Sequence, residues 1–550
     1  MAFSLTRSAL KLSASVMFAG LGIGGSLAIA EGAKARDISS QSSPASAEEV
    51  QIDRWLEQNR DRPTLLRAFV QRFPKGGDIH SHLSGAVYAE NYLRWAAEDG
   101  YCVDPDAGDG RPALILPEDC HQHSRYFSAS ELLGRSSIYD ALVNSFSTRN
   151  LEFSGRSGHD QFFSTFGTFS PISSSESRQD DMVAEVANRA ASQHIFYLEL
   201  MRTVKGSPVR RLGREVKSEF EQRAGREINW QQDFEALRQL LIDRGLMDLV
   251  ATGSEEVNAL QREVEKTLGC DTPNPQPGCE VTVRFLQQTT RTKTPEQVFA
   301  QFVYAFELVK TNSQVVGLNL VAPEDHPIAL RDYTLQMEML GFLKSKFPEV
   351  KVALHAGELT IGLVPPEQLR SNIREAVEIA QASRIGHGVD VLYENKPFEL
   401  MDMMRERGVL VEICLTSNEV ILNVSGDDHP FQDYLDAAVP VTLASDDEGV
   451  ARIDLSHEYL LATTRYNLDY RKLKYLARNS LEHSFLPGDG LWASGTFQEF
   501  RGPCQGDRPG SGSISQPCSA FLTSSDRARS QWRLEAEFAA FEALPSFKSN

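Results

Sequence analysis

Eight short apolar segments constrain the fold of this chain more than any other feature. Each segment is apolar or alternates apolar with other residues, and each has the length of a β-strand. The segments are residues 77–83, 195–201, 281–287, 315–321, 351–356, 383–388, 409–416 and 439–445. Helical patterns fall between most of them, and one begins at Thr294-Pro295, an N-cap residue followed by proline at the first helical position. Because strand and helix alternate eight times, the sequence predicts an α/β fold, a (β/α)₈ TIM barrel.

The connections between the predicted strands are of unequal length. Strands four to eight follow one another at intervals typical of a compact barrel, whereas residues 84–194 and 202–280 form far longer connections. We therefore expect extra helical insertions after the first two strands. The C-terminal end is rich in Gly, Pro and Ser before a final helix near residues 531–544. We interpret residues 51–550 as a single decorated domain, with the barrel strands within residues 77–447.

The first 30 residues have the features of a cleavable signal peptide. Arg7 and Lys11 provide a basic start, an uncharged apolar stretch follows, and Ala28-Ile29-Ala30 matches an A-x-A cleavage site. A single membrane anchor is the alternative, and the cleavage site favours export. We expect residues 1–30 to be removed, residues 31–50 to be a flexible leader, and the mature protein to be periplasmic or secreted. No later segment is apolar for long enough to predict a membrane span.

The chain is acidic, with 75 Asp and Glu residues against 56 Lys and Arg residues and a net charge of -19. This charge argues against a nucleic-acid backbone or an anionic membrane surface as a partner. A solvated acidic surface that keeps an exported protein soluble is the simpler interpretation. The charge does not distinguish between small-molecule substrates, and no sequence feature indicates an oligomeric state.

Six of the seven cysteines occur as near neighbours in segments rich in Gly, Pro and Asp. In an oxidising compartment we expect them to form local disulfides, Cys102–Cys120, Cys270–Cys279 and Cys504–Cys518. Unpaired thiols are the alternative, because spacing alone does not establish connectivity. Cys414 lies inside a predicted strand and is expected to be a buried free thiol.

Side chains that can bind a metal stand at the ends of the predicted strands. His80 and His82 are two residues apart, so in a strand their imidazoles point to the same face. His355 and Asp446 lie at the ends of two other strands, at the edge where barrel active sites are found. Three nitrogen ligands and one carboxylate oxygen suit zinc with an open position for water. Each residue alone is as well explained by a core histidine or a turn aspartate, so the prediction rests on the combination.

Two further residues near these strand ends indicate acid–base chemistry. Glu358 follows His355 by three residues, and His387 lies at the end of the sixth predicted strand. A carboxyl group and an imidazole beside a metal can move protons during hydrolysis. The alternatives are a helix N-terminal acid for Glu358 and a core histidine for His387. For Asp447, next to Asp446, the alternative to a functional role is a structural one in a turn or a helix cap.

Five motifs together resemble the adenosine deaminase family, including its extracellular, growth-factor-like branch. They are PKGGDIHSHL at residues 74–83, HAGE at 355–358, GHG at 386–388, TSN at 416–418 and SDD at 445–447. The motifs occur in the order found in the family and span most of the mature chain. The resemblance implies a zinc-bearing (β/α)₈ barrel with one zinc ion per chain. It also implies that the substrate is a small purine nucleoside, adenosine, which is hydrolysed to inosine and ammonia.

The resemblance also implies a role for individual residues. Glu358 would protonate N1 of the purine, and His387 would orient and deprotonate the zinc-bound water. Asp447 would bind N7 of the purine. The zinc ligands would be His80, His82, His355 and Asp446.

The sequence departs from the family at predicted substrate-binding residues. Ser84 stands where classical members have an aspartate that contacts the ribose, and Ala322 stands where they have a glycine against the purine. Glu448 replaces the proline that usually follows the paired aspartates. Phe162 and Phe166 are predicted to line the ribose side of the site or, equally, to belong to the core of the first insertion.

These departures leave three functions open. The first is an exported zinc-dependent adenosine or deoxyadenosine deaminase. The second is a deaminase or amidohydrolase that acts on another aminated purine or ring. The third is a purine-binding or signalling protein without catalysis, and the presence of Glu358 and His387 argues against it, because binding alone needs no proton donor or base.

Overall fold

The barrel strands occupy the segments that the sequence predicts. The computed structural model describes residues 45–107 and 110–547. Eight parallel strands in this part of the chain form one sheet, ordered as they are in the sequence. All eight predicted strands are confirmed. They are β1 (Gly76–His82), β2 (Ile195–Arg202), β3 (Thr282–Thr290), β4 (Val315–Val321), β5 (Lys351–Ala356), β6 (Arg384–His387), β7 (Leu410–Ile413) and β8 (Val441–Leu443).

Hydrogen bonds between the two ends of the sheet close it into a barrel. The backbone N–H of Asp446, just after β8, donates to the carbonyl oxygen of His80 at 2.9 Å. The N–H of His82 donates in turn to the carbonyl oxygen of Asp446 at 3.0 Å. The predicted (β/α)₈ TIM barrel is therefore confirmed. The hydrogen bonds that close the barrel involve three of the four predicted metal ligands, His80, His82 and Asp446.

A network of buried charges fills part of the barrel interior. The guanidinium of Arg384, on β6, lies 2.6 Å from the carboxylate of Glu199 on β2 and 2.5 Å from that of Glu412 on β7. All three side chains are at most 1% exposed. A buried guanidinium requires acceptors for its donors, and the two carboxylates supply them. The second carboxylate oxygen of Glu412 is directed toward His80, at the carboxyl ends of the strands.

The helices outside the barrel also follow the predicted pattern. Thr294 and Gln297 form a capping box that starts the helix Pro295–Thr311, where the sequence predicts a helix start. Further helices follow β4 to β8. They are Pro327–Lys346, Asn372–Glu378, Pro397–Arg407, Leu415–Leu422, Phe431–Asp436, Glu448–Ala451, Leu455–Thr464 and Tyr470–Glu482.

Both long connections contain the expected extra helices, so the predicted insertions after the first two strands are confirmed. The first also contains a small antiparallel sheet of strands Cys102–Asp104, Ala113–Ile115 and Phe127–Ser128. Its helices are Leu83–Ala86, Ala89–Glu98, Ser136–Ser145, Gly158–Ser173 and Gln179–Ser192. The helices of the second connection are Gly206–Ala224, Trp230–Asp243 and Leu246–Thr267.

One inserted helix, Gly158–Ser173, lies against the carboxyl end of the barrel. It contacts the short helices that follow β1, β7 and β8, namely Leu83–Ala86, Leu415–Leu422 and Glu448–Ala451. Gly158 permits this close approach, because a Cβ atom there would lie 1.7 Å from the carbonyl oxygen of Val420. The first insertion therefore covers part of the rim at which barrel active sites lie.

Four helices stand at the ends of the described chain: Ala47–Asn59, Pro63–Arg72, Gln516–Ser524 and Asp526–Glu542. Residues 47–50, which the sequence assigned to the leader, are helical because Ser46 and Glu49 form a capping box. The last helix begins earlier than predicted because Ser525 caps it. The predicted signal peptide lies outside the described residues. None of the described helices is long and apolar enough to cross a membrane.

The three predicted disulfides are present, and Cys414 is a buried free thiol. Each bond closes a short loop, with partners 18, 9 and 14 residues apart in the sequence. A local disulfide of this kind contributes roughly 2–4 kcal/mol to stability. Disulfides persist in oxidising compartments, which agrees with the predicted export.

Denatured but unreduced protein, prepared from an oxidising compartment, should expose one thiol, that of Cys414. The other six cysteines are paired, so reduction should raise the count to seven. A chromogenic thiol reagent in guanidinium chloride, used before and after reduction, measures both counts. As the control, Cys414→Ser protein should show no thiol before reduction. Several free thiols in the unreduced wild type would contradict the pairing.

Candidate metal centre and active site

The predicted metal ligands come together at the carboxyl end of the barrel. His80 and His82 end β1, His355 lies in β5, and Asp446 follows β8. One possible ligand atom from each lies within 4.8 Å of the other three, and all four side chains are buried. Parallel strands of a barrel end at one rim, which is why residues so distant in the sequence meet here.

The separations between the candidate ligand atoms suit a tetrahedral metal. Nε2 of His82 lies 3.2 Å from Nε2 of His355. Oδ1 of Asp446 lies 3.3 Å from Nε2 of His82 and 3.5 Å from Nε2 of His80. Ligands about 2.0–2.1 Å from a tetrahedral zinc ion are about 3.3–3.4 Å from one another. The three measured separations therefore match the edges of such a site.

The environment of His80 favours a cation at its Nε2 atom. Its Nδ1 atom is 2.5 Å from a carboxylate oxygen of Glu412, so an N–H at Nδ1 donates to that carboxylate. Nε2 is buried and has no hydrogen-bond partner among the described residues, and Oδ1 of Asp446 lies 3.5 Å from it. Burial alone would lower the pKa of His80, but Asp446 and Glu412 raise it to about 10. The two carboxylates thus stabilise positive charge, which a bound metal also provides.

The other two imidazoles are neutral, as metal ligands must be. Burial lowers the pKa of His82 to about 4 and also lowers that of His355. Nδ1 of His82 lies 3.4 Å from the amide oxygen of Gln288. On the acidic side, the Ser417 hydroxyl donates to Oδ2 of Asp446 at 2.6 Å. These contacts leave Nε2 of His82 and Oδ1 of Asp446 directed toward the shared centre.

Glu358 places a buried carboxyl beside this cluster. Burial, together with the charges of Asp446 and Glu324, raises its pKa well above the usual range of a carboxyl. Its Oε1 atom lies 3.7 Å from Nε2 of His387. The backbone N–H groups of Gly357 and Glu358 donate to the Glu324 carboxylate at 3.2 and 3.0 Å. Glu324 therefore holds the turn that presents Glu358 to the site.

Two of the site residues have a left-handed backbone. His387 has φ 68° and Asp446 has φ 58°. This conformation costs an ordinary residue roughly 1–2 kcal/mol, and the packing around these fully buried residues maintains it. The result is a turn in the chain at the point where each side chain reaches the centre.

Asp447 carries a second buried carboxyl at this site. Burial and the adjacent charge of Asp446 raise its pKa well above the usual value. Its Oδ1 atom is buried and, in the part of the chain that the structure describes, has no hydrogen-bond partner. Gly85 makes room for the carboxyl, because a Cβ atom at this position would lie 1.5 Å from Oδ1 of Asp447. A protonated carboxyl in this position can donate a hydrogen bond to a ligand.

The predicted substrate-side residues are more scattered. Ser84 lies in the short helix after β1, and its carbonyl oxygen accepts a hydrogen bond from the Tyr92 hydroxyl at 2.7 Å. Ala322 follows β4 and has φ 87°, a backbone conformation that glycine adopts readily. Phe162 is 2% exposed and belongs to the main core. Phe166 is half-buried, and its ring centre lies 5.9 Å from that of Phe162.

Sequence reasoning missed residues that support the site. Glu412 had a visible signal, a carboxylate inside an otherwise apolar strand, because buried acids are rare unless they are paired. Arg291 had none: its guanidinium donates to the carbonyl oxygen of His355 at 2.9 Å and lies 3.8 Å from Glu324. His429, whose Nε2 atom lies 3.0 Å from the side-chain oxygen of Asn418, also had no signal in the sequence.

The fold and the site thus define a (β/α)₈ barrel protein with a candidate metal centre and two buried carboxyls of raised pKa at its carboxyl end. A model of the adenosine deaminase family matches residues 140–492, more than half of the chain. The chain belongs to the adenosine deaminase family, a family of deaminases.

Curated relatives match over parts of their length. An adenosine deaminase from Clostridium perfringens is 28% identical over 181 residues, which cover 33% of this chain and 51% of that protein. An aminodeoxyfutalosine deaminase from Streptomyces coelicolor is 38% identical over 137 residues, which cover 25% of this chain and 33% of that protein. The chain therefore spans about half the length, or less, of these relatives.

Solved structures show more distant likeness. An adenine deaminase from Arthrobacter aurescens is 16% identical with a TM-score of 0.47, and the match covers 75% of this chain and 94% of that one. The Arabidopsis protein ADAL complexed with GMP is 20% identical with a TM-score of 0.48, and the match covers 76% and 94%.

Proposed function

We propose that this protein is an exported, zinc-dependent hydrolytic deaminase that converts adenosine or deoxyadenosine to the corresponding inosine and ammonia. The observation that carries the proposal is the buried Glu358 carboxyl, placed as a proton donor 3.7 Å from Nε2 of His387 and beside a set of four candidate metal-ligating atoms. A binding protein needs no such donor, whereas hydrolysis of an aromatic amine does. Membership of the adenosine deaminase family supports the same reaction.

His80, His82, His355 and Asp446 would hold one zinc ion. Zinc in such a site lowers the pKa of water and so supplies a nucleophile at neutral pH. Three imidazole nitrogens and one carboxylate oxygen are a donor set that suits zinc, and their separations fit. Glu412 and Ser417 would orient two of these ligands through their hydrogen bonds.

The protein's own acids would activate the purine. Glu358 would give its proton to ring nitrogen N1, which makes C6 more electrophilic and lets the ring accept electrons as water adds. Asp447, which also carries a proton, would donate a hydrogen bond to N7. His387 would hydrogen-bond the attacking water molecule. The net reaction adds one water molecule at C6 and releases ammonia.

The substrate of this site is set by the residues around the sugar, which differ from the family pattern. Ser84 offers no carboxylate to the ribose hydroxyls, and this change favours a second candidate. That candidate is deamination of another aminated purine or ring, with the same metal centre and the same acid.

The three disulfides support export, because such bonds persist in oxidising compartments. We propose that the protein is periplasmic or secreted and, from the resemblance of its motifs, that it belongs to the extracellular, growth-factor-like branch of the family. We further propose that residues 51–550 form one decorated domain.

Purified, zinc-loaded protein should release ammonia from adenosine or deoxyadenosine faster than from adenine or AMP. A coupled assay for ammonia, run with all four compounds, measures the rates. Protein treated with a chelator and then reloaded with zinc serves as the control for metal dependence. Faster release from adenine or AMP would support the second candidate. Binding of purines without any ammonia release would overturn the proposed enzyme.

A further inference from the structure

We propose that Asn418 and His429 are positioning residues that fix the tautomer of His387, so that its neutral ring carries the proton on Nε2. The inference deepens the proposed function and rests on it only for its kinetic test. Neither residue contacts the metal-ligating atoms. They act through a chain of hydrogen bonds whose directions the structure determines.

The chain starts at a group that can only donate. The backbone N–H of Phe431 donates to Nδ1 of His429 at 3.1 Å. Nδ1 of His429 therefore carries no proton, and its ring proton lies on Nε2. Burial lowers the pKa of His429 to about 4, so the ring is neutral at pH 7.

The next link determines the orientation of an amide. Nε2 of His429 lies 3.0 Å from Oδ1 of Asn418. Because this nitrogen carries the proton, it donates and the amide oxygen accepts. The amide nitrogen of Asn418 then faces the other way, toward His387, and has only N–H groups to offer.

The last link sets the tautomer. Nδ2 of Asn418 lies 2.9 Å from Nδ1 of His387. An amide N–H donates, so Nδ1 of His387 must accept and cannot carry a proton. The neutral imidazole therefore has its proton on Nε2, the atom that lies 3.7 Å from Oε1 of Glu358.

Burial makes this arrangement strict. Asn418 and His387 are fully buried and His429 is 2% exposed, so solvent does not compete for these bonds. An unpaired polar atom in such a place costs about 1–3 kcal/mol. Reversing the tautomer would set two N–H groups against each other at the link between Asn418 and His387, and turning the amide over would only move this conflict to the link with His429. The chain of hydrogen bonds runs from the loop before the helix Phe431–Asp436, through the helix Leu415–Leu422, to the end of β6.

The tautomer changes the role of His387 in the proposed reaction. With the proton on Nε2, the resting ring donates a hydrogen bond into the site and cannot accept a proton there. His387 therefore holds and stabilises the attacking oxygen as a donor. The deprotonation that the family resemblance implied does not fit this resting tautomer.

The kinetic test reverses the direction of the hydrogen bond to His387 by an isosteric substitution. In Asn418→Asp protein both oxygens accept, so Nδ1 of His387 should take the proton and Nε2 should lose it. We expect kcat to fall about 10²-fold or more, with KM within about 3-fold of the wild-type value and full metal content, because the change removes a hydrogen-bond donor to the transition state.

His429→Gln, which can still donate to Asn418, should keep most of the activity, whereas His429→Met should not. His457→Gln, at a half-buried position elsewhere, serves as the matched control. Equal kcat in the wild type and in Asn418→Asp protein would overturn the proposal.

A spectroscopic test needs no substrate. In zinc-loaded protein with ¹⁵N-labelled histidine, the ring signals that are lost in His387→Gln protein identify His387, and they should show a neutral ring with the proton on Nε2. A proton on Nδ1 of His387 in the wild type would overturn the inference. Because this measurement does not depend on turnover, it remains decisive even if no purine is deaminated.

Discussion

Glu358→Gln protein should keep its metal and still bind a purine nucleoside, but its kcat should fall at least about 10²–10⁴-fold, the usual contribution of a general acid. Gln has nearly the shape of Glu but carries no acidic proton to give to N1. Glu358 is buried and not among the four ligand atoms, so the change should leave the metal in place. Steady-state kinetics on the best substrate and metal analysis of the same sample measure both outcomes.

Inhibitor binding separates this role from a structural one. A hydrated purine analogue, which resembles the transition state, should lose more affinity than a ground-state purine, because the acid acts on the transition state. A helix-capping role would instead cost about 0.5–2 kcal/mol of stability and leave kcat nearly intact. Glu399→Gln, at an exposed glutamate, is the control. Near-normal kcat in Glu358→Gln protein would remove Glu358 from the mechanism and with it the main support for a deaminase.

His355→Ala protein should lose its metal and its activity together. The change removes one of four ligand atoms and leaves two imidazoles and one carboxylate, which hold zinc less tightly. A metal in such a site contributes several kcal/mol to the transition state, so we expect a fall of about 10³-fold or more in kcat. Metal analysis after dialysis should find one zinc per wild-type chain and much less in the variant.

The matched control for this change is His121→Ala, at an exposed histidine away from the site. It should keep one equivalent of metal and wild-type activity. A circular dichroism spectrum and a melting curve show whether His355→Ala protein is folded. One equivalent of metal bound to that folded variant with wild-type affinity would contradict the ligand assignment.

The outline of the fold could be predicted because it depends on local signals. Buried parallel strands read as short apolar runs, and all eight appear in the sequence. Thr294-Pro295 marked its helix start through capping chemistry that acts within one turn. Some helices and strands begin or end at other residues than predicted, for equally local reasons, such as the cap that Ser525 provides.

The support around the site could not be predicted in the same way. Glu412 bonds His80 across 332 residues, and Arg291 bonds the backbone of His355 across 64 residues. Such partners meet only after the barrel closes, and no spacing rule relates them. Phe162 shows the same limit, since its side chain was open to two interpretations and its packing places it in the core.

The sequence by itself determined the strand and helix alternation and the residue types at the strand ends, and it indicated the disulfide pairs, because each depends on neighbours in the chain. The tertiary structure decided the raised pKa values of Glu358 and Asp447 and the tautomer of His387. Those properties arise from burial and from the direction of hydrogen bonds between distant segments. Asn418 and His429 illustrate the difference: each is an ordinary polar residue in the sequence, and only their contacts fix where the proton of His387 lies.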